Sequence, residues 1–189
     1  ISRMSDEHYN TISKLKKEKD SFHMQMLQLH NIRWHKKMHN KSDKNESSDY
    51  TNNGIIQHFD IKYKYSGSIF TPLKPNVLDN LENYAPKIKT IVDHIISMGN
   101  NGIAFVFSQF ISSGIIPLVL ALENNGYSKY QGKSSSFNHL STKKKLNKGK
   151  YLVISSDKDF SSKNIKDQKE FLKVATSKDN IRGNKIRVI

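Results

Sequence analysis

Cysteine is absent from the 189 residues, which excludes a disulfide framework and every thiolate-based metal site. Long apolar runs are missing too, and none approaches the roughly 18 residues that a bilayer-spanning helix needs. The longest candidate, "GIIPLVLALENNG" (114–126), contains Pro117 and ends in polar residues, so it reads as a buried amphipathic helix. The N-terminus lacks the basic, apolar and small-residue order of a signal peptide. Acidic residues are few: 17 Asp and Glu stand against 31 Lys and Arg, for a net charge of +14 and a pI of about 9.8. Such a balance favours a polyanionic partner, nucleic acid before an anionic membrane surface. The abundance of Lys, Asn, Ile and Ser is also what A/T-rich coding produces, which weakens any reading of each lysine as selected for its charge. The expected location is intracellular, or inside a particle. The start at Ile1 and the stop in the apolar run "KIRVI" are those expected of a segment of a longer polypeptide.

Along the chain, residues 1–53 read as a helical N-terminal segment with a polar linker. Ser5 is a candidate cap for a helix whose first turn carries Asp6 and Glu7. Phe22, Met26 and Leu29, then less regularly Trp34 and Met38, form an apolar stripe at helical spacing. Residues 39–54 have no apolar periodicity and connect. Residues 54–83 hold "IIQHFDIKYKY", which alternates as a strand or hairpin arm does. From Tyr84 to Ile189 the pattern is α/β. A helix begins at Pro86, presents Ile88, Ile91, Val92, Ile95 and Ile96 on one face, and stops at Gly99. The run "IAFVFSQF" (103–110) predicts a parallel strand buried on both faces. Ser112 and Ser113 are expected to cap a helix that stops at Gly126. "KYLVIS" (150–155) predicts a second strand. It leads to a helix with Ile165, Phe171, Leu172 and Ala175 inward, and "KIRVI" (185–189) is a third strand. This order is the start of an open parallel sheet with flanking helices, interrupted by a basic insertion at 128–150.

"GYSKYQGKSS" (126–135) looks at first like a phosphate-binding loop, which requires Gly, four residues, then Gly-Lys-Ser/Thr. Gly132, Lys133 and Ser134 supply the second half, but Tyr127 occupies the first glycine's place and Gly126 lies one residue too far. A helix precedes it where a strand should, so it reads as a basic loop.

The ordered residues Pro86 and Lys87, then Phe107, Ser108 and Phe110, then Gly114, Leu118, Leu122, Gly126 and Tyr127 carry a resemblance. The stretch "YAPKIKTIVDHI" through "FSQFISSGIIPLVLALENNGY" resembles the second RecA-like lobe of superfamily 2 helicases, most closely the Swi/Snf-like helicases and early transcription-factor ATPases of large DNA viruses. Ala85 stands where that family more often has Ser. "FLKVATSKDNIRGNKIRVI" is similar to the family's approach, "Asn-x-x-Gly-x-x-Ile-x-Val", to a motif touching nucleic acid and ATP. "MSDEHYNTI" resembles the segment opening the lobe, with His8 where Gln is usual. The resemblance implies a partial RecA-like sheet and a role in an ATP-dependent helicase or translocase, viral and used in transcription. ATP and Mg would be held mainly by regions outside this chain. The implied partners are nucleic acid, DNA rather than RNA, the first helicase lobe of the same polypeptide and the viral transcription machinery, with a virion or cytoplasmic viral factory as location. The family's phosphate loop, acidic metal motif and Gln-x-x-Gly-Arg motif do not occur in this sequence, so the chain alone is expected to be inactive. The alternative reading is a non-catalytic basic nucleic-acid-binding α/β module.

The resemblance assigns Ser108, Gln109 and Ser112, just past the first strand, to a nucleic-acid phosphate. Their other reading is as caps of a turn and of the following helix. Seven lysines, among them Lys143, Lys144 and Lys145, fall between Glu123 and Asp157 without an intervening acid; they make either a phosphate-binding arm or a solvated loop. Lys178, Arg182, Lys185 and Arg187 flank the third strand, with Arg182 the preferred backbone contact. His35 and His39 have the i, i+4 spacing of zinc ligands but lack an intervening Glu and an evident third ligand, so a wet basic helix is the competing reading. Trp34 is either a stacking residue or a packing edge.

Overall fold

The computed structural model describes residues 27–28, 31–32, 55, 58–64, 67–73, 77–130, 140, 148–156 and 165–189. Most of the expected N-terminal helix, with Trp34, His35 and His39, the linker before Ile55, and Lys143 to Lys145 lie outside these residues. Mixed helix and strand make an α/β protein. No helix among the described residues is long and apolar enough to cross a membrane.

The expected arm is present in part as β1 (Phe59–Lys64), shorter than the run 55–65 because Ile55 and His58 are helical, and it pairs with β2 (Gly67–Pro72), which the sequence pattern did not give. Only two residues join them, which leaves antiparallel pairing as the one available geometry. Phe59, Ser68 and Phe70 are buried, and the Leu73 N–H donates to the His58 carbonyl at 2.9 Å, just beyond the paired strands.

The chain divides into two compact units. The first comprises residues 1–60, 72–92 and 108–121. It contains α1 (Leu81–Tyr84) and, from Pro86, most of α2 (Pro86–Ser97). Along α2 the buried residues are Ile88, Val92 and Ile95, with Ile91 and Ile96 half-buried. This stripe at spacings of three and four follows the sequence pattern. Helix α3 (Ile116–Asn124) is buried nearly all round, in keeping with its apolar sequence. Its entry corrects the expected serine caps. The chain winds in through a π-helical turn, Ile111–Ile115, closed by the Ile115 N–H on the Phe110 carbonyl at 3.0 Å. Phe110 is the N-cap and no side chain caps it, because Ser112 and Ser113 already lie inside the turn.

The second unit comprises residues 61–71, 93–107 and 122–189. Its centre is a set of short parallel segments. β3 (Tyr127–Lys129) pairs with β4 (Gly149–Tyr151). Tyr151 bridges Val188, and Val188 bridges Ala104, both in parallel. Backbone bonds from Leu152 to Val188 (2.8 Å), Ala104 to Arg187 (2.8 Å), Ile189 to Ala104 (2.9 Å) and Val106 to Ile189 (2.7 Å) extend these bridges. The spatial order is therefore 127–129, 149–151, 188, 104. Against it packs α4 (Ile165–Ala175), placing Ala175 with Leu152 and Ile186 in a buried cluster edged by Tyr130, Phe171, Val174 and Ile189. The Tyr130 and Phe171 rings meet edge to face, 5.4 Å apart.

Two expectations are corrected here. Leu172 is exposed, because the inward stripe of α4 runs through 171, 174 and 175 and turns Leu172 toward solvent. The run 103–110 is not covered on both faces: Ala104 and Val106 are half-buried, whereas Phe105 and Phe107 are 76% and 80% exposed. The segment sits at the end of the array, and among the described residues no strand pairs with its outer side. Removing buried methylenes leaves a cavity as well as losing transfer energy, so Ile186→Ala should cost about 2–5 kcal/mol. Leu172→Ala should cost less than about 1 kcal/mol. Chemical denaturation of both variants checks the corrected helix face.

Candidate nucleic-acid interface

Ser108 occupies a local turn in the first unit. The Phe110 N–H donates to Ser108 Oγ at 3.2 Å, and the same hydroxyl donates to the Phe110 carbonyl at 3.1 Å. Such a turn lets a serine take the place of a backbone partner. It also commits the hydroxyl proton locally, so a phosphate at Ser108 must compete with the Phe110 carbonyl. Gln109, between them, is exposed and Ser112 is half-buried within the π turn. Gly114 explains itself here: a Cβ at that position would overlap Ser108 Oγ and lie 3.0 Å from Ser108 Cβ. Nearby in the fold, Lys87 Nζ donates to Asn31 Oδ1 at 3.0 Å. The fully buried Ser113 Oγ has no partner among the described residues.

Lys178, Arg182 and Lys185 are brought together in the second unit, on the connection between α4 and the segment ending at Ile189. All three are exposed. The connection is rigid because of Asn180. Its side-chain amide is completely buried, donates to the carbonyls of Ala175 (2.9 Å) and Ile186 (2.8 Å), and accepts from the N–H groups of Lys185 (2.7 Å) and Ile186 (2.9 Å). Three residues on, Gly183 has φ +70° and a Cβ there would strike the Gly102 carbonyl oxygen. "Asn-x-x-Gly" is thus a folding device, and Arg182 is what it displays. The turn lies at the amino end of the parallel array, away from the carboxyl ends where open parallel sheets place ligands. Lys185 Nζ is 3.5 Å from Asp179, both side chains being well exposed, an arrangement worth little and easily given up.

Arg187 is different from its neighbours. It is only 8% exposed and spends its guanidinium on the Asn100 side chain and, at 3.3 Å, the Lys148 carbonyl. That makes it a latch at the amino ends of the strands. Burial raises the pKa of Tyr127, an effect that Arg187 partly offsets. Glu123, at the end of α3, is also buried. Its carboxylate accepts from the Tyr151 hydroxyl and the Leu140 N–H. The Tyr151 hydroxyl is pushed well above the usual tyrosine range by burial and then by Glu123. Burial lowers the pKa of Lys129, with Glu123 pulling it partly back. Glu123 and Tyr151 were not singled out in the sequence; the one available signal was an acid, Glu123, in an otherwise apolar helix. Among the described residues no group of three His, Asp or Glu is placed to hold a metal ion. No family model matches the chain, and no curated protein or solved structure matches it either.

Two predictions follow from this geometry. Gly114→Ala should destabilise by about 1–3 kcal/mol through overlap with Ser108 Oγ. In a Ser108→Ala background part of that cost should vanish, since the overlapping Oγ is gone while the Cβ at position 108, 3.0 Å away, remains; a double-mutant cycle measures the coupling. Tyr151 has a raised folded pKa, so it contributes stability that is complete below its unfolded value of 10.0 and is lost as pH climbs through the folded value. Tyr151→Phe should cost about 1–3 kcal/mol at neutral pH, by leaving Glu123 short of a donor, and should flatten the decline of stability above pH 10. Urea titrations at stepped alkaline pH report both.

Proposed function

We propose that the chain is part of an ATP-dependent nucleic-acid translocase or helicase, and that this lobe holds the nucleic-acid backbone. The observation that carries the reading is the order of the parallel segments. In sequence they run 104, 127, 149, 188, whereas in space they run 127, 149, 188, 104. The chain skips two places after the first segment and then fills back toward it. Open α/β sheets bind ligands outside the carboxyl ends of their strands. Ser108 and Gln109 follow the first segment directly. The resemblance to superfamily 2 helicases assigns the same residues to a phosphate, a contact that positions without reading sequence. The viral and transcriptional setting, the preference for DNA and the partnership with a first lobe rest on that resemblance alone.

ATP would be held mainly by regions outside this chain. Glu123, the buried acid of the second unit, is engaged by Tyr151 and Leu140, and the sequence lacks the phosphate loop and acidic motif an ATP site needs. What the chain itself supplies is, in the second unit, the charge of exposed Lys178, Arg182 and Lys185 at the amino end of the parallel array and, in the first unit, the Gln109 amide beside the Ser108 turn. A rival reading, a basic module that binds nucleic acid without ATP, is favoured by that same lack of ATP motifs. Sequencing the native polypeptide separates the two, since the motor requires Gly-Lys-Thr/Ser and Asp-Glu motifs upstream of Ile1.

Binding of a single-stranded oligonucleotide should weaken steeply with salt, with a log–log slope of about −0.7 for each phosphate neutralised. Arg182→Ala, which removes one phosphate contact, should reduce the magnitude of that slope by about 0.7. Gln109→Ala should weaken affinity and leave the slope intact, because it removes a dipole and no charge. Fluorescence anisotropy across a salt series reads all three, and a wild-type affinity indifferent to salt would sink the proposal.

A further inference from the structure

Phe105 and Phe107 have no role in the account so far, and their placement is costly. Two large aromatic side chains are 76% and 80% exposed on a segment that otherwise packs into the array. Lying two residues apart in extended chain, they project from the same face about 7 Å from one another. The ladder bonds of the segment belong to Ala104 and Val106. Among the described residues, nothing hydrogen-bonds the backbone of Ile103, Phe105 or Phe107.

We infer that Phe105 and Phe107 form a stacking platform for the bases of single-stranded nucleic acid. The inference rests on the nucleic-acid reading above and extends it from backbone to base. Its warrant is charge together with geometry. The chain carries +14, which draws a polyanion and opposes the approach of a second, equally basic copy. Unpaired bases offer flat apolar faces to an aromatic ring, whereas the bases of a duplex are stacked on one another and present none. Paired aromatics at alternate positions of a strand are a geometry that accepts successive bases, and stacking tolerates any base because each has a π-face. The occupant is therefore a single strand bound without sequence preference, its bases on the phenylalanines.

The test is anisotropy with a labelled mixed-sequence single strand of about 15 nucleotides and the matching duplex, using the full chain. Phe105→Ala and Phe107→Ala should each weaken single-strand binding about fivefold to a hundredfold. They should leave the salt slope and the thermal midpoint unchanged, and affect the duplex far less. Phe107→Tyr should retain binding. Phe107→Trp should retain it too, with indole fluorescence quenched on addition of the single strand, relative to a wild-type control that accounts for Trp34. Equal affinity of wild type and the double alanine variant, with salt-dependent binding intact, overturns the platform while sparing the nucleic-acid reading. No binding by wild type at low salt overturns both. Loss of self-association in the double variant, measured by light scattering with single-strand affinity unaltered, assigns the face to a second copy and overturns the inference.

Discussion

The second unit depends on the buried amide of Asn180. One side chain saturates four backbone groups, two carbonyls and two N–H groups, at the point where α4 ends and the last parallel segment begins. An unmet backbone group in a buried position costs about as much as a lost hydrogen bond, so a residue unable to both donate and accept would leave part of this set bare. What Asn180 secures is the segment that lies between β4 and Ala104. Because Val188 bridges both neighbours, the parallel array is continuous only while that segment keeps its register. Gly183 serves the same end, its positive φ bringing the turn against the Gly102 carbonyl.

Around this array, polar groups are buried where they hold the ends of elements. Arg187 ties the loop at Asn100 to the carbonyl preceding β4, and Glu123 ties the end of α3 to Tyr151 and Leu140. Both are charges within the fold, tolerable because hydrogen bonds replace part of their hydration. The basic residues left at the surface, Lys178, Arg182 and Lys185, are therefore distinct in kind from Arg187, although all four fall within ten residues of sequence. Charge alone does not separate an exposed cation from a latch; the direction of the strand does.

A large part of this was legible from the chain. Helix α2 was readable because Pro86 opens it, Gly99 follows it and its isoleucines recur at helical spacing. One arm of the hairpin, β1, was readable from alternation within 55–65, its partner β2 was not, and α3 was readable from an apolar run bounded by Gly126. The candidate site was legible only as residue types. Ser108 and Ser112 looked alike as caps, yet Ser108 makes a turn with Phe110 and Ser112 lies within a π turn, because the helix begins earlier than the serines suggest. Leu172 and Val174 compete for one helix face, and composition does not rank them; their angular position relative to Phe171 and Ala175 does.

Local pattern by itself determined helices α2, α3 and α4, though not β2 or β3, together with the excess of positive charge and the exclusion of thiol chemistry, since each follows from neighbouring residues or from totals. Tertiary structure alone decided which strand lies beside which, that Asn180 and Gly183 hold a turn, that Glu123 and Arg187 are spent inside, and that Phe105 and Phe107 face solvent. Those outcomes depend on pairing between residues tens of positions apart, and an apolar run reads the same whether it is covered on both faces or left open on one.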